Sequence, residues 1–310
     1  MGVCIGVDVA KKHLDWVLGP NGEIQRIENA RVAVRRLVRK LQKMDFDRVI
    51  LESTGQYERL LFETLEDEGI PVCRINPFRV RRFGEGMGVL AKNDAIDAKL
   101  LALFGEKAEP EERPKKSERE RLLGDLSARR RQLISNMTAE KNRLEHTSGY
   151  VATEIKSLIR VLERHIEKLE VKIDQMLDED ERQRANFKRL QAVPGVGSKV
   201  ARTLLVDLPE LGQLDRRRIT SLVGLAPYAN DSGQKIGKRS IHGGRAAPRT
   251  MLYLAAMVGS RCNPELMAMK QRLQEKGKPP KVILIACARK LLTILNAMVR
   301  DQTEWKTKAA

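Results

Sequence analysis

Val3-Cys4-Ile5-Gly6-Val7-Asp8-Val9 alternates two sets of side chains with a period of two, the pattern of a β-strand. Val3, Ile5, Val7 and Val9 fall on one face; Cys4, Gly6 and Asp8 fall on the other. A carboxylate on a central strand is costly unless it is paired or bound to a cation. The plain alternative is an aspartate at a strand end facing water. The next segments decide between the two.

Outward from this strand, Leu14 to Leu18 forms a second strand-like run. Pro20-Asn21-Gly22 is a turn signal, and Glu23-Ile24 resumes extended chain after it. Val34, Leu37 and Leu41 have helical spacing. Arg48-Val49-Ile50-Leu51-Glu52 reads as a buried strand that ends in a carboxylate. A loop opens at Thr54-Gly55, a helix follows through Leu60, Leu61 and Leu65, and Pro71 to Ile75 is a further strand closed by Asn76-Pro77. This order predicts an α/β domain with a mixed sheet over residues 1–115.

Asp94 and Asp97 begin the next helix-like run. Spacing of three puts both on one helical face. An N-cap and a first-turn acid would account for the pair, but not for Asp8 and Glu52 in the same domain. Four clustered carboxylates repel, and divalent cations neutralise such clusters. Mg²⁺ is the expected ion, with Mn²⁺ not separable from it by sequence.

The 310 residues carry 58 Lys and Arg against 41 Asp and Glu, a formal charge of +17 spread over the whole chain. Such an excess points to a polyanion. Aromatic residues make up only 4%, which argues against base-stacking platforms. Cys4, Cys73, Cys262 and Cys287 form no CxxC pair and are expected to be reduced core thiols of a cytosolic protein. Asp8 and Lys11-Lys12 interrupt the first apolar run, so no secretory signal is expected, and no apolar stretch reads as long enough to span a bilayer.

From Ser117 to Asn186 proline is absent and strand signals vanish. Ile159, Leu162, Ile166, Leu169, Ile173 and Met176 step by threes and fours as a heptad seam. Leu122, Leu126, Leu133, Met137 and Leu144 form a looser stripe before it, with Ser148-Gly149 as the reversal. A coiled-coil segment is expected over 116–185, either as a hairpin packed on its own domain or as helices that pair with another subunit. The remainder, 186–310, reads as mostly helical, with Pro279-Pro280 before a final apolar helix from Val282 to Met298.

Two motifs in this last third could meet phosphate. Val193-Pro194-Gly195-Val196-Gly197, followed by Lys199, resembles a helix–hairpin–helix, in which Gly195 and Gly197 let backbone N–H groups approach a phosphate. The alternative is an ordinary helical corner. Gly224-Leu225-Ala226-Pro227-Tyr228 leads into a basic loop with Ser232-Gly233, Lys235, Lys238, Arg239, Arg245 and Arg249. Pro248 fits the first position of the following helix. Ser232 is exposed in a setting suited to a nucleophile, although a Ser-Gly pair is also an ordinary turn.

Together these motifs resemble the DEDD transposases of bacterial insertion sequences, in the insertion sequence one-ten family, whose relatives include the Piv-type DNA invertases. Gly6-Val7-Asp8-Val9-Ala10-Lys11, Leu51-Glu52-Ser53-Thr54-Gly55 and Lys92-Asn93-Asp94-Ala95-Ile96-Asp97-Ala98 look like the acidic motifs. Val193–Gly197 and Gly224–Pro227 with Ser232-Gly233 are similar to the C-terminal transposase domain. The resemblance implies a RuvC-like domain of ribonuclease H fold, a coiled coil and a C-terminal domain with a serine nucleophile. It implies that Asp8, Glu52, Asp94 and Asp97 bind Mg²⁺ and that Ser232 forms a phosphoserine link to DNA. It further implies donor and target DNA as substrates, guidance by a structured noncoding bridge RNA, and a homo-oligomer, dimer or tetramer, in the bacterial cytoplasm at the nucleoid. In such an assembly the acidic domain and Ser232 would meet within or between subunits. Two other functions fit the residues alone: a metal-dependent nuclease or junction resolvase that uses water, and a non-catalytic nucleic-acid-binding scaffold.

Overall fold

The computed structural model describes residues 2–89, 94–112, 114–229, 231–233, 237 and 239–306. The chain divides into two compact units, Met1–Lys115 and Lys116–Ala310.

The first unit is built on a five-stranded sheet in the order β3-β2-β1-β4-β5. Its strands are β1 (Cys4–Val9), β2 (His13–Leu18), β3 (Gln25–Glu28), β4 (Arg48–Glu52) and β5 (Val72–Ile75). β1, β2 and β3 form an antiparallel meander, while β4 runs parallel to β1 and β5 parallel to β4. β3 begins at Gln25, just beyond the Glu23-Ile24 resumption expected from sequence, because Gly19 to Gly22 occupies the turn.

The β1 alternation sorts into two cores. Ile5, Val7 and Val9 pack with α1 (Arg31–Leu41) and α2 (Arg59–Asp67) through Val34, Leu37, Val38, Leu41, Leu61 and Leu65. On the opposite face Cys4 and Ile50 pack with Leu100, Leu101 and Phe104 of α4 (Asp94–Ala108) and with Val80 of α3 (Pro77–Gly86). Each fully buried leucine or isoleucine here contributes roughly 1.5–3 kcal/mol. The sheet is thus covered on both faces, as strands with parallel neighbours require. α3 goes beyond the sequence reading: Asn76-Pro77 does close β5, and it also opens a helix. The Asn76 side chain accepts from Phe78 N, and Pro77 takes the first position, where its missing N–H is unneeded.

The second unit is helical among its described residues. α5 (Glu118–Leu144) and α6 (Gly149–Asp178) form an antiparallel hairpin that turns at Glu145 to Ser148. A capping box at Ser117 and Glu120 starts α5. Of the seam positions on α6, Ile159, Ile173 and Met176 are buried and Leu162, Ile166 and Leu169 are partly buried. On α5 Leu133 of the expected stripe is buried, but the inward face otherwise differs: Leu122 is exposed, and Leu123, Ser127 and Arg130 are buried. The reason is polar. Arg130 donates to Glu170 of α6 at 2.6 Å, and Ser127 donates to Asp207 at 3.1 Å, so the helix turns these residues inward.

α7 (Glu181–Gln191), α8 (Ser198–Asp207), α9 (Arg216–Val223), α10 (Ala246–Cys262), α11 (Pro264–Glu275) and α12 (Pro280–Asp301) share one core that also takes in Leu123 and Ile173 of the hairpin. Pro248 lies in the first turn of α10 at its third position, not its first, since the helix starts at Ala246. A proline there still removes no intrahelical hydrogen bond.

α12 corrects the membrane reading. It is the one helix among the described residues long and apolar enough to cross a bilayer. Its apolar side chains are nevertheless core: Ile283, Cys287, Ala288, Leu291, Leu292 and Leu295 are buried within this unit. The cysteine expectation is corrected at one position, since Cys262 is exposed while Cys4, Cys73 and Cys287 are buried; all four are free thiols.

Candidate functional site

β1 and β4 are parallel, so their carboxyl ends lie at the same edge of the sheet. Val7 pairs with Leu51, the last pair of the ladder, and one step further along come Asp8 and Glu52. Both lie on the face that α4 covers, because they share the parity of Gly6 and Ile50.

α4 runs antiparallel to β1. A Cβ on Gly6 would meet Ala98 O at 2.0 Å and Ala102 N at 2.5 Å, and one on Gly105 would meet the Cys4 side chain at 2.9 Å. Gly6 therefore sets how closely the helix approaches the strand. The same direction carries the start of α4, with Asp94 and Asp97 in its first turn, to the Asp8 end of β1. A helix N-terminus favours carboxylates through the macrodipole.

The charges register this convergence. Asp8 is raised to about 6, by burial first and then by the nearby Asp94 and Asp97 carboxylates, with Asp15 adding to the effect. Glu52 is half-buried at the end of β4. A group of carboxylates that pushes one of its members toward protonation suits a hard divalent cation, which takes oxygen ligands and removes the repulsion.

Sequence reasoning passed over Asp15. It pairs with Asp8 across the β1–β2 ladder and is 2% exposed. Both of its oxygens accept from Arg26 of β3, at 2.7 and 2.6 Å. Arg26 also lies 3.4 Å from Asp94, as does His13 Nε2. Ligand atoms of His13, Asp15 and Asp94 come within 4.8 Å of one another. The guanidinium takes one lone pair on each Asp15 oxygen, so a cation held by that trio would share Asp15 with Arg26. The signal was available: a lone carboxylate inside the apolar run Leu14 to Leu18.

Glu58 was also missed. It is 2% exposed, and its carboxylate accepts from Thr54 N at 3.2 Å, Thr54 Oγ1 at 3.3 Å and Gln56 N at 2.9 Å. These bonds hold the loop that follows Glu52, including Gln56 at φ 98°.

In the second unit, α7 and α8 flank the Val193–Gly197 turn. Gly195 has φ 95°, and a Cβ on it would meet Gly259 Cα of α10 at 2.6 Å. Gly195 is thus a packing glycine. Gly197 is the N-cap of α8, exposed, with nothing near its Cβ position, and Lys199 is exposed in the first turn. The open helix end is therefore at Gly197 and Lys199.

Ser232 is exposed in the basic loop. Asp231, just before it, accepts from Gly237 N at 2.9 Å and from Arg239 at 2.6 Å; Arg239 first, then the Gly237 amide, holds its carboxyl below the usual range. The loop closes on a two-way backbone pairing of Tyr228 with Ser240, and the Tyr228 ring packs against His242, with centroids 4.4 Å apart and planes tilted by 37°. Tyr228 Oη and Ser221 Oγ share a hydrogen bond of 2.8 Å. Arg245 is engaged by Glu210, at 2.6 and 2.5 Å, and Arg249 donates to Gly243 O. Lys235 and Lys238, like Lys92-Asn93 of the paired-aspartate motif, lie outside the described residues.

Comparison with known proteins bears on the whole chain. A transposase family described as the DEDD transposase of IS110 matches residues 5–147, and the transposase IS116/IS110/IS902 family matches residues 187–271. A pilin gene-inverting protein of Moraxella bovis is 29% identical over 307 residues, covering 96% of this chain and 95% of its own length. Its counterpart in Moraxella lacunata matches to the same extent. An insertion element IS110 protein of 43.6 kDa from Streptomyces coelicolor is 29% identical over 121 residues, 38% of this chain and 30% of its own. The first match takes in every acidic motif and the second both the Val193–Gly197 turn and the serine loop. The chain belongs to the IS110 family of DEDD transposases, enzymes that recombine DNA.

Proposed function

We propose that this chain cleaves and rejoins DNA strands through a covalent phosphoserine link formed by Ser232, with Asp8, Glu52, Asp94 and Asp97 holding Mg²⁺ at the edge of a ribonuclease H-like sheet. The observation that carries the metal half is the convergence at Asp8: a half-buried strand carboxylate raised to about 6, by burial first and then by the Asp94 and Asp97 carboxylates. A divalent cation bound there would supply charge neutralisation to the scissile phosphate and lower the barrier to attack by an oxygen nucleophile.

The chain's own residues then have separate tasks. Asp8 and Glu52, on neighbouring strands, give the acidic set a rigid base, and α4 brings Asp94 and Asp97 to it. The Ser232 Oγ–P bond forms as the P–O bond to one deoxyribose oxygen breaks; the serine proton is given up and the departing sugar oxygen takes one. Attack by a sugar hydroxyl of a second strand reverses this and frees the serine. One phosphodiester is exchanged for another without external energy. Lys199 and the Gly197 amide end of α8 support phosphate positioning. Arg239 orders the loop through Asp231, while Arg245 and Arg249 serve its framework.

The name of the Moraxella relatives refers to inversion of a pilin gene, which supports recombination over hydrolysis. We include in the proposal donor and target DNA, a structured noncoding guide RNA and assembly as a dimer or tetramer. Membership of an enzyme family removes the passive-scaffold alternative. The test is a covalent trap. Protein, Mg²⁺, DNA from the element's ends and RNA from its flank are quenched in detergent. The proposal expects a protein–DNA adduct that is lost in Ser232→Ala; cleavage without any adduct favours the water-using nuclease.

A further inference from the structure

We propose that a cavity of about 950 Å³ in the C-terminal unit receives one unstacked nucleobase of the DNA strand next to the phosphate on which Ser232 acts. The location beside that phosphate rests on the reading of Ser232 as nucleophile.

The cavity lies among the serine loop, α11 and α12. Its lining includes the apolar Leu225, Ile241, Met269 and Ile285. Its lining also carries six cations, Arg216, Arg239, Arg272, Lys281, Arg289 and Lys290, against one carboxylate among the described residues, Glu265. Lys290 pairs with Glu265 at 2.9 Å, leaving the lining strongly positive. Arg289 Nε is buried with no hydrogen-bond partner among the described residues, a donor left for something that enters.

A lining that combines apolar side chains with cations fits a ligand with a flat uncharged part and anionic groups beside it. A nucleotide has this character, and the volume lies in the range of small-molecule sites, about 300–1,000 Å³. Guanidinium planes can stack on a base where aromatic residues are scarce. The serine loop identifies which strand it would be. Arg239, Ser240 and Ile241 line the cavity, Ser240 pairs with Tyr228, and Arg239 is held by Asp231, the residue before Ser232. Extruding a base costs a few kcal/mol, least where the strand is already unpaired. A strand opened at a crossover meets that condition.

The test uses full-length Ser232→Ala protein, which isolates binding from chemistry. The probe is a single-stranded oligodeoxynucleotide with one internal 2-aminopurine, whose emission rises when the base unstacks. We expect a rise of about two-fold or more on binding, abolished by Ala286→Trp, which fills the cavity, while affinity from anisotropy changes by less than about three-fold because backbone phosphates dominate it. Ala268→Trp, on the exposed lip, is the second filler should Ala286→Trp not fold. No rise, or a rise that survives filling, overturns the pocket. A larger rise with the same sequence in RNA overturns the assignment to DNA. The nucleophile is read separately by the covalent trap, so either idea can fail alone.

Discussion

Asp8 of β1 stands directly opposite Asp15 of β2 in the antiparallel ladder. Like charges in that position destabilise a strand pair. The chain resolves the conflict asymmetrically. Arg26 takes both oxygens of Asp15, and Asp8 is left among carboxylates with its proton affinity raised. One carboxylate is tied to a guanidinium; its neighbour stays among carboxylates, half-buried.

Arg26→Ala would leave the buried Asp15 carboxylate without its guanidinium. A loss of stability is expected, smaller than for a fully buried pair because Arg26 is itself exposed. Urea unfolding of Arg26→Ala, Asp15→Asn and the double variant measures it. The double variant is expected to be more stable than Arg26→Ala alone; equal stability of the two would show that Asp15 does not depend on Arg26.

The Asp8 carboxyl predicts a pH dependence with a definite sign. Its native value of about 6 lies above the unfolded value of roughly 3.9. Native protein therefore binds more protons between these values. The stabilising contribution is full below about pH 4 and is lost as pH rises through about 6. In chelator, Asp8→Asn is expected to raise the melting temperature at pH 8 by a few degrees and to have little effect at pH 4. Calorimetric scans at the two values check this, and a variant less stable than wild type at pH 8 would refute it.

Gly6 is where a single methyl group reaches the site. Alanine there collides with the α4 backbone at Ala98 and Ala102, so the helix must shift. A loss of about 1–3 kcal/mol is expected, as for other overpacked positions, together with weaker divalent-metal binding, because α4 carries Asp94 and Asp97. Wild-type metal affinity in a folded Gly6→Ala protein would uncouple the helix from the site.

The two glycines of the α7–α8 turn should separate packing from recognition. Gly195→Ala meets the α10 backbone at φ 95° and is expected to cost more than about 2 kcal/mol. Gly197→Ala meets nothing and is expected to cost under about 1 kcal/mol. Lys199→Ala should leave stability unchanged and lower the salt slope of DNA binding by about 1. Thermal melts and binding isotherms at several salt concentrations read all three.

Much of this arrangement was legible in the residues. The alternation in Val3 to Val9 assigned Asp8 to the face that α4 covers, and Arg48 to Glu52 announced a second strand ending in a carboxylate. The helical reading of Asp94 onward held, as did the reversal at Ser148-Gly149. What escaped was set by partners distant in sequence. Asp15 looked like one charge in an apolar run until β3 brought Arg26 to it. Glu58 carried no signal in the sequence, although it ties down the loop behind Glu52. Leu122 shared the period of its stripe, but buried Arg130 and Ser127 determined which way α5 faces. Gly195 suggested a phosphate contact, and it proves to be where α10 passes. Periodicity reports which face is buried; it does not report which polar group a neighbouring element will satisfy.

The most direct measurement is calorimetric titration of Mn²⁺ and Mg²⁺ into the metal-free full-length chain and into Asp8→Asn, Glu52→Gln, Asp94→Asn, Asp97→Asn and Asp15→Asn. Each of the first four variants is expected to lose about ten-fold or more in affinity, and Asp15→Asn to lose less, since its oxygens belong to Arg26. Unchanged binding in Asp8→Asn and Asp97→Asn, with loss only in Asp15→Asn, would contradict the account.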